Sequence, residues 1–358
     1  RLIHDGIDWF DVIAFNTDSQ VLSTSSADIC LQVGQEETGG LGAGADPEIG
    51  SMAMEAHREE IRRLVESYDM VIVTAGMGGG TGTGGAPIVA SIAQQMGILS
   101  VGIVTRPFGC EGRARKETAE DGVQRMQKHT DTLLVIPNDR LFDLADEHTS
   151  LREAFRLADE VLCDATRGIV EIITYEGLVN LDFADVERTM RGGGMGMRGV
   201  STPFSVQRAQ ATSRNGAGSS ADGVQNPSER TSRPEKAAIE AVSSPLFDGG
   251  SIGGADSVLV NVSGGEALGF RDVMSAVEVI QAEVDPETEI LFGAVVDEEI
   301  NDHFQVTVIA TGVNEIGSAD AGGSLSSEEP KISETPIEGL EEGHASGREQ
   351  TQRNGNLG

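Results

Sequence analysis

Lysine is almost missing from this chain: four of its 26 basic residues are lysine, and 58 acidic residues set a formal charge of −32. A surface of that sign repels nucleic acid and anionic headgroups, so neither is expected as a partner. Cysteine is scarce too. Cys30, Cys110 and Cys163 lie far apart with no CxxC pair, which argues against a disulfide framework or a thiolate zinc site and for a reducing, cytoplasmic setting. The six histidines form no HExxH or similar spacing, so no metal held by the protein is expected. Long apolar runs are also lacking: "MVIVTAGM" and "GILSVGIV" fall far short of the ~20 residues that cross a bilayer. No basic-then-apolar leader is visible, so neither export nor direct membrane insertion is expected. With one Trp and two Tyr, the core has to be aliphatic.

What is abundant is acid. The bland reading is a soluble protein with an acidic tail. The acids are spread along the whole chain, however, and lysine is depleted throughout. That pattern favours a halophilic host with molar internal salt, where the screening length shrinks to about 3 Å.

The chain is long enough for about two domains. "FDVIAFNTD" (10–18), "DICLQVG" (28–34), "DMVIVTAG" (69–76) and "ILSVGIVTRPF" (98–108) read as strands. "EEIRRLVESY" (59–68) and "APIVASIAQQMG" (86–97) read as helices between them, an order that predicts a parallel sheet covered on both faces. A long helix follows from about Ala158 to Ile173, with Val161, Leu162, Ala165, Ile169, Ile172 and Ile173 on one stripe and Gly177 as its stop. Further strands at "SVLVNVSGG", "EILFGAVVD" and "HFQVTVIATG" with helices between them make a smaller α+β domain. The expected division is 1–157, a central helix within 158–179, and 180–313 interrupted by a flexible Ser/Gly-rich insert at 198–235. An acidic, disordered tail fills 314–358.

Residues 75–87, "AGMGGGTGTGGAP", hold seven glycines and no lysine between a buried strand and a helix. Ligands of α/β sheets bind at that edge, and backbone N–H groups at a helix start can hold an anion without a cationic side chain. A Walker loop is excluded because GxxxxGK[ST] requires lysine. A dinucleotide fingerprint matches at Gly80-x-Gly82-x-x-Gly85, but the next strand ends in "VTRPFG" without the acidic residue that motif needs. A purely structural glycine turn stays open as well.

Beyond this loop, "FNTD" (15–18), "GLGAGADPEIG" (40–50), "PFGCEGRAR" (107–115), "IPNDRL" (136–141), "AFRLADEVL" (154–162) and "NLDFADV" (180–186) come in a telling order. Together with "GMGGGTGTGGAP", they resemble the tubulin/FtsZ family of GTPases, and "SSPLF" and "VTVIATG" extend the likeness to about residue 313. The resemblance implies a Rossmann-like GTPase domain, a long central helix and a smaller α+β domain. It implies a cytoplasmic protein that binds GTP or GDP with Mg2+ and polymerises head to tail for cell division. Partners would be further copies, other FtsZ-like subunits and membrane-anchor adaptors.

By position, Gly78, Gly79, Gly80, Thr81, Gly82, Thr83 and Gly84 would hug the phosphates, with Ala43, Gly44 and Ala45 near the γ-phosphate. Asn16 would approach the nucleotide, Glu111 and Arg115 would serve the ribose side, Phe155 would stack on guanine, and Asp159 would accept from its N1–H and N2–H2. Asn180, Asp182 and Asp185 would orient the attacking water on the next subunit's nucleotide. The residues read alone leave other options. Phe155 and Asp159, four apart, share a helix face, yet Phe155 could be core and Asp159 solvated. Asp182 and Asp185 could be a helix cap and a first-turn acid. Family members also open with a strand and a GGGGxN-type loop; Arg1 to Asp5 resembles the end of the helix that follows it, so that loop is not in this sequence. Either the sequence is a fragment of an ordinary enzyme, or it is a degenerate, non-hydrolysing paralogue acting as a structural or regulatory filament subunit, which is the alternative function.

Overall fold

Strands that are aliphatic on both faces need helices above and below them. The computed structural model describes residues 10–143, 150–174, 179, 181–200, 227–244, 252–296 and 304–313. Its first half runs β1 (Ile13–Asn16), α1 (Ser19–Leu22), β2 (Ile29–Gln32), α2 (Gln35–Thr38), α3 (Pro47–Ala56), α4 (Arg58–Val65) and β3 (Met70–Gly76). Then come α5 (Thr81–Gln95), β4 (Leu99–Arg106), α6 (Arg113–Gln127), β5 (Thr132–Pro137) and the long α7 (Leu151–Thr174). The rest is α8 (Phe183–Met190), β6 (Gly194–Val200), α9 (Pro227–Val242), β7 (Ser257–Gly264), α10 (Phe270–Ala282), β8 (Glu289–Val296) and β9 (Phe304–Thr311).

β1 and β2 pair in parallel as a two-stranded sheet, and the remaining strands form one sheet in the order β3-β4-β5-β6-β9-β7-β8. It is parallel from β3 to β6, while β9 runs antiparallel to β6 and β7. The α+β unit read from the sequence is thus joined to the first by β6, "GMGMRGV", which has no apolar run to announce it. Its neighbours account for the glycines. A Cβ on Gly196 would lie 2.7 Å from Leu134 Cδ2, and one on Gly193, just before the strand, 2.7 Å from Thr132 Oγ1.

β4 shows how the two layers are fixed. Leu99, Val101 and Ile103 pack with Val161, Ala165, Ile169 and Ile172 of α7. Val104 turns the other way, into a core with Ala53 of α3, Ala90 of α5 and Val123 of α6. Burying each such aliphatic side chain contributes ~1.5–3 kcal/mol, so the alternation along one strand sets both layers. A third core gathers Ala237, Ala238 and Ala241 of α9 with Val273 and Val277 of α10 against β7 and β9. α9 begins at Pro227, inside the stretch expected to be flexible; Gly177, residues 201–226 and the tail 314–358 lie outside the described residues. Among the described residues no helix is long and apolar enough to cross a membrane.

The apolar stripe puts the start of the central helix near Ala158, but α7 begins at Leu151 and runs for 24 residues. A capping box moves the start. Ser150 N–H and Oγ both donate to Glu153 Oε2, at 2.8 and 2.7 Å, and Glu153 N–H donates back to Ser150 Oγ at 3.3 Å. These bonds from Ser150 hold the Glu153 carboxyl below its usual range. A carboxyl lowered by folding stabilises fully above the unfolded carboxylate range, and that stabilisation is lost as pH falls through the lowered value. Glu153→Gln should therefore flatten the acid limb of stability against pH. Denaturant titrations of both chains check this; parallel acid limbs would show that the box does not form.

Candidate functional site

β3 ends at Gly76 and α5 begins at Thr81 with Gly80 as its N-cap, so the glycine loop lies at the carboxyl edge of the sheet. The helix read from the sequence starts at Ala86; the observed one starts inside the loop. Glycine costs ~1 kcal/mol per helical position relative to alanine, and here close packing demands it. A Cβ on Gly84 would meet Pro47 O at 2.0 Å, one on Gly82 would meet Gly76 O at 2.6 Å, and one on Gly85 would meet Met54 Cε at 2.6 Å. The structural reading of these glycines is therefore correct as far as it goes.

The same packing leaves a bare helix end. No side chain caps α5, and its first turn closes with Gly84 N–H donating to Gly80 C=O at 3.0 Å. The N–H groups of Gly80, Thr81, Gly82 and Thr83 then have no acceptor within the helix, and its dipole adds positive potential there. Gly78 differs, because its N–H already donates to the buried Thr83 Oγ1 at 2.9 Å. Gly79 is open: the nearest atom to its would-be Cβ is Arg115 Nη2, at 4.0 Å. The loop thus borders a cation supplied by α6.

Two more segments close on this turn. The hydroxyls of Thr17 and Thr81 are 2.6 Å apart, which ties the end of β1, where Asn16 stands, to the glycines. Asn16 Oδ1 accepts from Asp18 N–H at 3.0 Å. From the other side, a Cβ on Gly80 would fall 2.7 Å from Ala43 Cβ. Gly44 and Ala45 are both left-handed, with φ of 61° and 62°. For alanine that conformation costs ~1–2 kcal/mol, and backbone strain of this kind concentrates at functional sites.

Arg115 Nη1 pairs with Glu111 Oε2 at 2.7 Å, and its Nε points to Gly78 O at 3.4 Å. Glu111 Oε1 accepts from Phe108 N–H at 2.8 Å, so both carboxylate oxygens of Glu111 are engaged. Phe108 in turn meets Phe155 edge-on, with ring centroids 5.2 Å apart. Phe155 is not a core residue: 41% of it is exposed, while Phe108 behind it is buried. Asp159 lies one turn further along α7, also exposed, on the face that carries Phe155. Asn138, just past β5, escapes sequence reasoning although "IPNDRL" contains it. It is 6% exposed, and its Oδ1 has no hydrogen-bond partner among the described residues. A buried amide oxygen without a donor is a signal only a structure can give.

The aspartates sit elsewhere. Asp182 occupies the N-cap of α8 but makes no side-chain capping bond, so the capping reading of that residue fails. Asp182 is exposed and Asp185 partly so; Asn180 lies outside the described residues. At its far end α8 is pinned to the amino edge of the sheet. Thr132 Oγ1, opening β5, donates to Met190 O at 2.6 Å, and Arg191 Nη2 donates to Gly97 O, ahead of β4, at 3.2 Å. The glycine loop, in contrast, adjoins the end of β4, where Met77 N–H donates to Thr105 O at 2.9 Å. The 8 residues of β4 span roughly 25 Å between these edges. Among the described residues no group of three His, Cys, Asp or Glu side chains could hold a metal ion.

Residues 9–146 match the family model described as Tubulin/FtsZ family, GTPase domain. Residues 218–314 match the FtsZ family, C-terminal domain. The chain is 39% identical to FtsZ from M. jannaschii, solved as an empty dimer, with a TM-score of 0.77 over 88% of this chain and 84% of that one. The chain belongs to the FtsZ family. Its fold is the tubulin/FtsZ α/β fold: a parallel-sheet GTPase domain, a central helix and a mixed-sheet C-terminal domain. CetZ1 from Haloferax volcanii, a GDP-bound monomer, shares that fold at 21% identity and a TM-score of 0.67, over 85% of this chain and 86% of that one. CetZ2 from the same organism, a GTPγS-bound protofilament, does so at 21% identity and 0.63, over 85% of each chain.

Proposed function

We propose that this FtsZ-family chain binds GTP at the bare N-terminus of α5 and hydrolyses it between subunits of a head-to-tail filament that serves cell division. The observation that supports the reading is that α8, the helix opened by Asp182 and Asp185, is bonded to the amino edge of the sheet, whereas the glycine loop adjoins its carboxyl edge. Neither half is a complete site, and head-to-tail stacking would bring one subunit's aspartates to the next one's phosphates. Positioning and charge stabilisation are most of what phosphoryl transfer asks of a protein. Here Gly79 to Thr83 would hold the phosphates, Ala43, Gly44 and Ala45 would border the γ-phosphate, and Arg115 would offset charge beside Gly78. Asn180, Asp182 and Asp185 would orient water in trans. Mg2+ travels with a nucleoside triphosphate, keeping several waters and needing at most one or two carboxylates besides the phosphates, which suits a site with no carboxylate cluster among the described residues.

Guanine recognition falls to Phe155, Asp159 and Asn138. The exposed Phe155 ring, backed by Phe108, offers a stacking plane, and Asp159 offers two acceptors to the N1–H and N2–H2 donors that adenine lacks. Asn16, Glu111 and Arg115 would line the ribose side. Asp159→Asn puts a donor against a donor and should weaken GTP binding by roughly 1–3 kcal/mol while leaving ATP binding poor. Calorimetric titration of both nucleotides checks this, and equal affinity for GTP and ATP in the parent chain would end the assignment.

The acidic surface fits a host with molar internal salt. Self-repulsion at a charge of −32 should be screened there, so the thermal midpoint should climb steadily from low to molar KCl. A midpoint indifferent to KCl would leave only the bland reading of the charge.

A further inference from the structure

Asp185 does not stand alone on α8. Arg188, three residues on and so on the same helix face, brings Nη2 to 3.5 Å from Asp185 Oδ1. The same nitrogen donates to Glu289 Oε1 at 2.8 Å. Glu289 opens β8, where its N–H donates to Asp256 O at 3.2 Å and its strand pairs with β7. The result is a chain of charge, Asp185–Arg188–Glu289, from the first turn of a short helix to the frame of the sheet.

From this geometry we infer that Arg188, braced by Glu289, is a positioning residue for Asp185. The inference rests on the reading of Asp185 as a water-orienting group. An aspartate on the first turn of a helix has several staggered side-chain rotamers open to it. A guanidinium fixed by a second carboxylate favours the rotamer that faces it, and its planar fork loses little entropy in doing so. In the separate chain the Arg188 side chain is 61% exposed, Asp185 40% and Glu289 47%. Exposed pairs of this kind add little to stability, so losing Arg188 should not unfold the protein. When a neighbouring subunit covers the loop and water leaves, the same pairs strengthen. The brace, already formed in the separate chain, would then be strongest where hydrolysis occurs.

The test uses the full chain, assembled with GTP, and four substitutions. Arg188→Gln should lower kcat by roughly tenfold, inside the ~100-fold that a misplacement of about 1 Å can cost. KM for GTP, sedimented polymer and thermal midpoint should stay near those of the parent. Glu289→Gln should act in the same direction, and the double variant should be no slower than Arg188→Gln, since the two act in series. Arg188→Lys should recover part of the loss. Independently of turnover, three-bond couplings to Asp185 Cγ should report one dominant rotamer in the parent and an averaged one in Arg188→Gln. An unchanged rotamer population, or a KM that rises as far as kcat falls, would overturn the inference. Arg188→Gln turning over normally while Asp185→Ala is dead would overturn it too, leaving the reading of Asp185 intact. Normal turnover in Asp185→Ala would overturn that reading first.

Discussion

Two inactive chains should make an active mixture. Asp182→Ala keeps the glycine loop and should bind GTP and assemble, but its turnover should fall by roughly 10²- to 10⁴-fold, the usual contribution of a side chain that activates water. Asp159→Asn carries intact aspartates but, with GTP held between the Kd values of the two chains, stays largely empty and so turns over little by itself. Where the first chain's nucleotide meets the second chain's α8, every group needed is present, so turnover should return on mixing. The geometry is what motivates this pairing. α8 is bonded to Gly97 and Thr132 at the amino edge of the sheet, while the glycine loop adjoins Thr105 and Pro107 at the carboxyl edge. A side chain reaches a few ångströms, far less than the ~25 Å that eight strand residues cover. Turnover per subunit in the parent chain should also rise steeply with concentration. Two results would sink the shared site: a rate that stays flat down to a demonstrably monomeric protein, and dead chains that stay dead when mixed. A parent chain that assembles with GTP but never turns over would favour the non-hydrolysing alternative.

Much of this was legible in the sequence, and what was not has particular causes. The aliphatic strands β3 and β4 and the stripe on α7 read correctly because burial dictates their composition. Val161, Ala165, Ile169 and Ile172 are all buried together. The helix starts depart from the apolar pattern for opposite reasons. α7 begins early because of Ser150 and Glu153, a signal present in the letters. α5 begins at Thr81 against every local propensity, since glycine is a poor helix former and only tertiary packing explains it. β6 carries no apolar pattern because its glycines answer to Leu134 and Thr132 across the sheet. For the site, spacing alone could put Phe155 and Asp159 on one face. It could not say that Phe155 is open, that Asp182 caps nothing, or that Asn138 buries an amide oxygen without a donor.

Gly84→Ala should be the most damaging single methyl in the nucleotide half. A Cβ there would lie 2.0 Å from Pro47 O and 2.6 Å from Ser51 N. Both are backbone atoms of α3, so no side chain can swing aside, and α3 has to move as a body. It cannot move cheaply. Its buried residues Gly50, Ala53 and Met54 face α5, and a Cβ on Gly50 would itself meet Gly80 O at 2.2 Å. Overpacking typically costs 1–3 kcal/mol, and contact with fixed backbone puts this case at about 3 kcal/mol or above. That is a large part of the ~5–15 kcal/mol that keeps a domain folded. The damage should reach the ligand as well. α3 follows directly on the 43–46 loop, which lies against Gly80, so pushing the helix away opens the turn proposed for the phosphates. Gly254→Ala supplies the comparison, because nothing lies within 4 Å of its would-be Cβ, and it should stay within about 0.5 kcal/mol of the parent. Thermal melts and GTP titrations of the two variants decide the matter. If Gly84→Ala melts and binds like Gly254→Ala, α3 and α5 do not pack this closely, and the glycines of the loop have no structural duty beside the phosphate one.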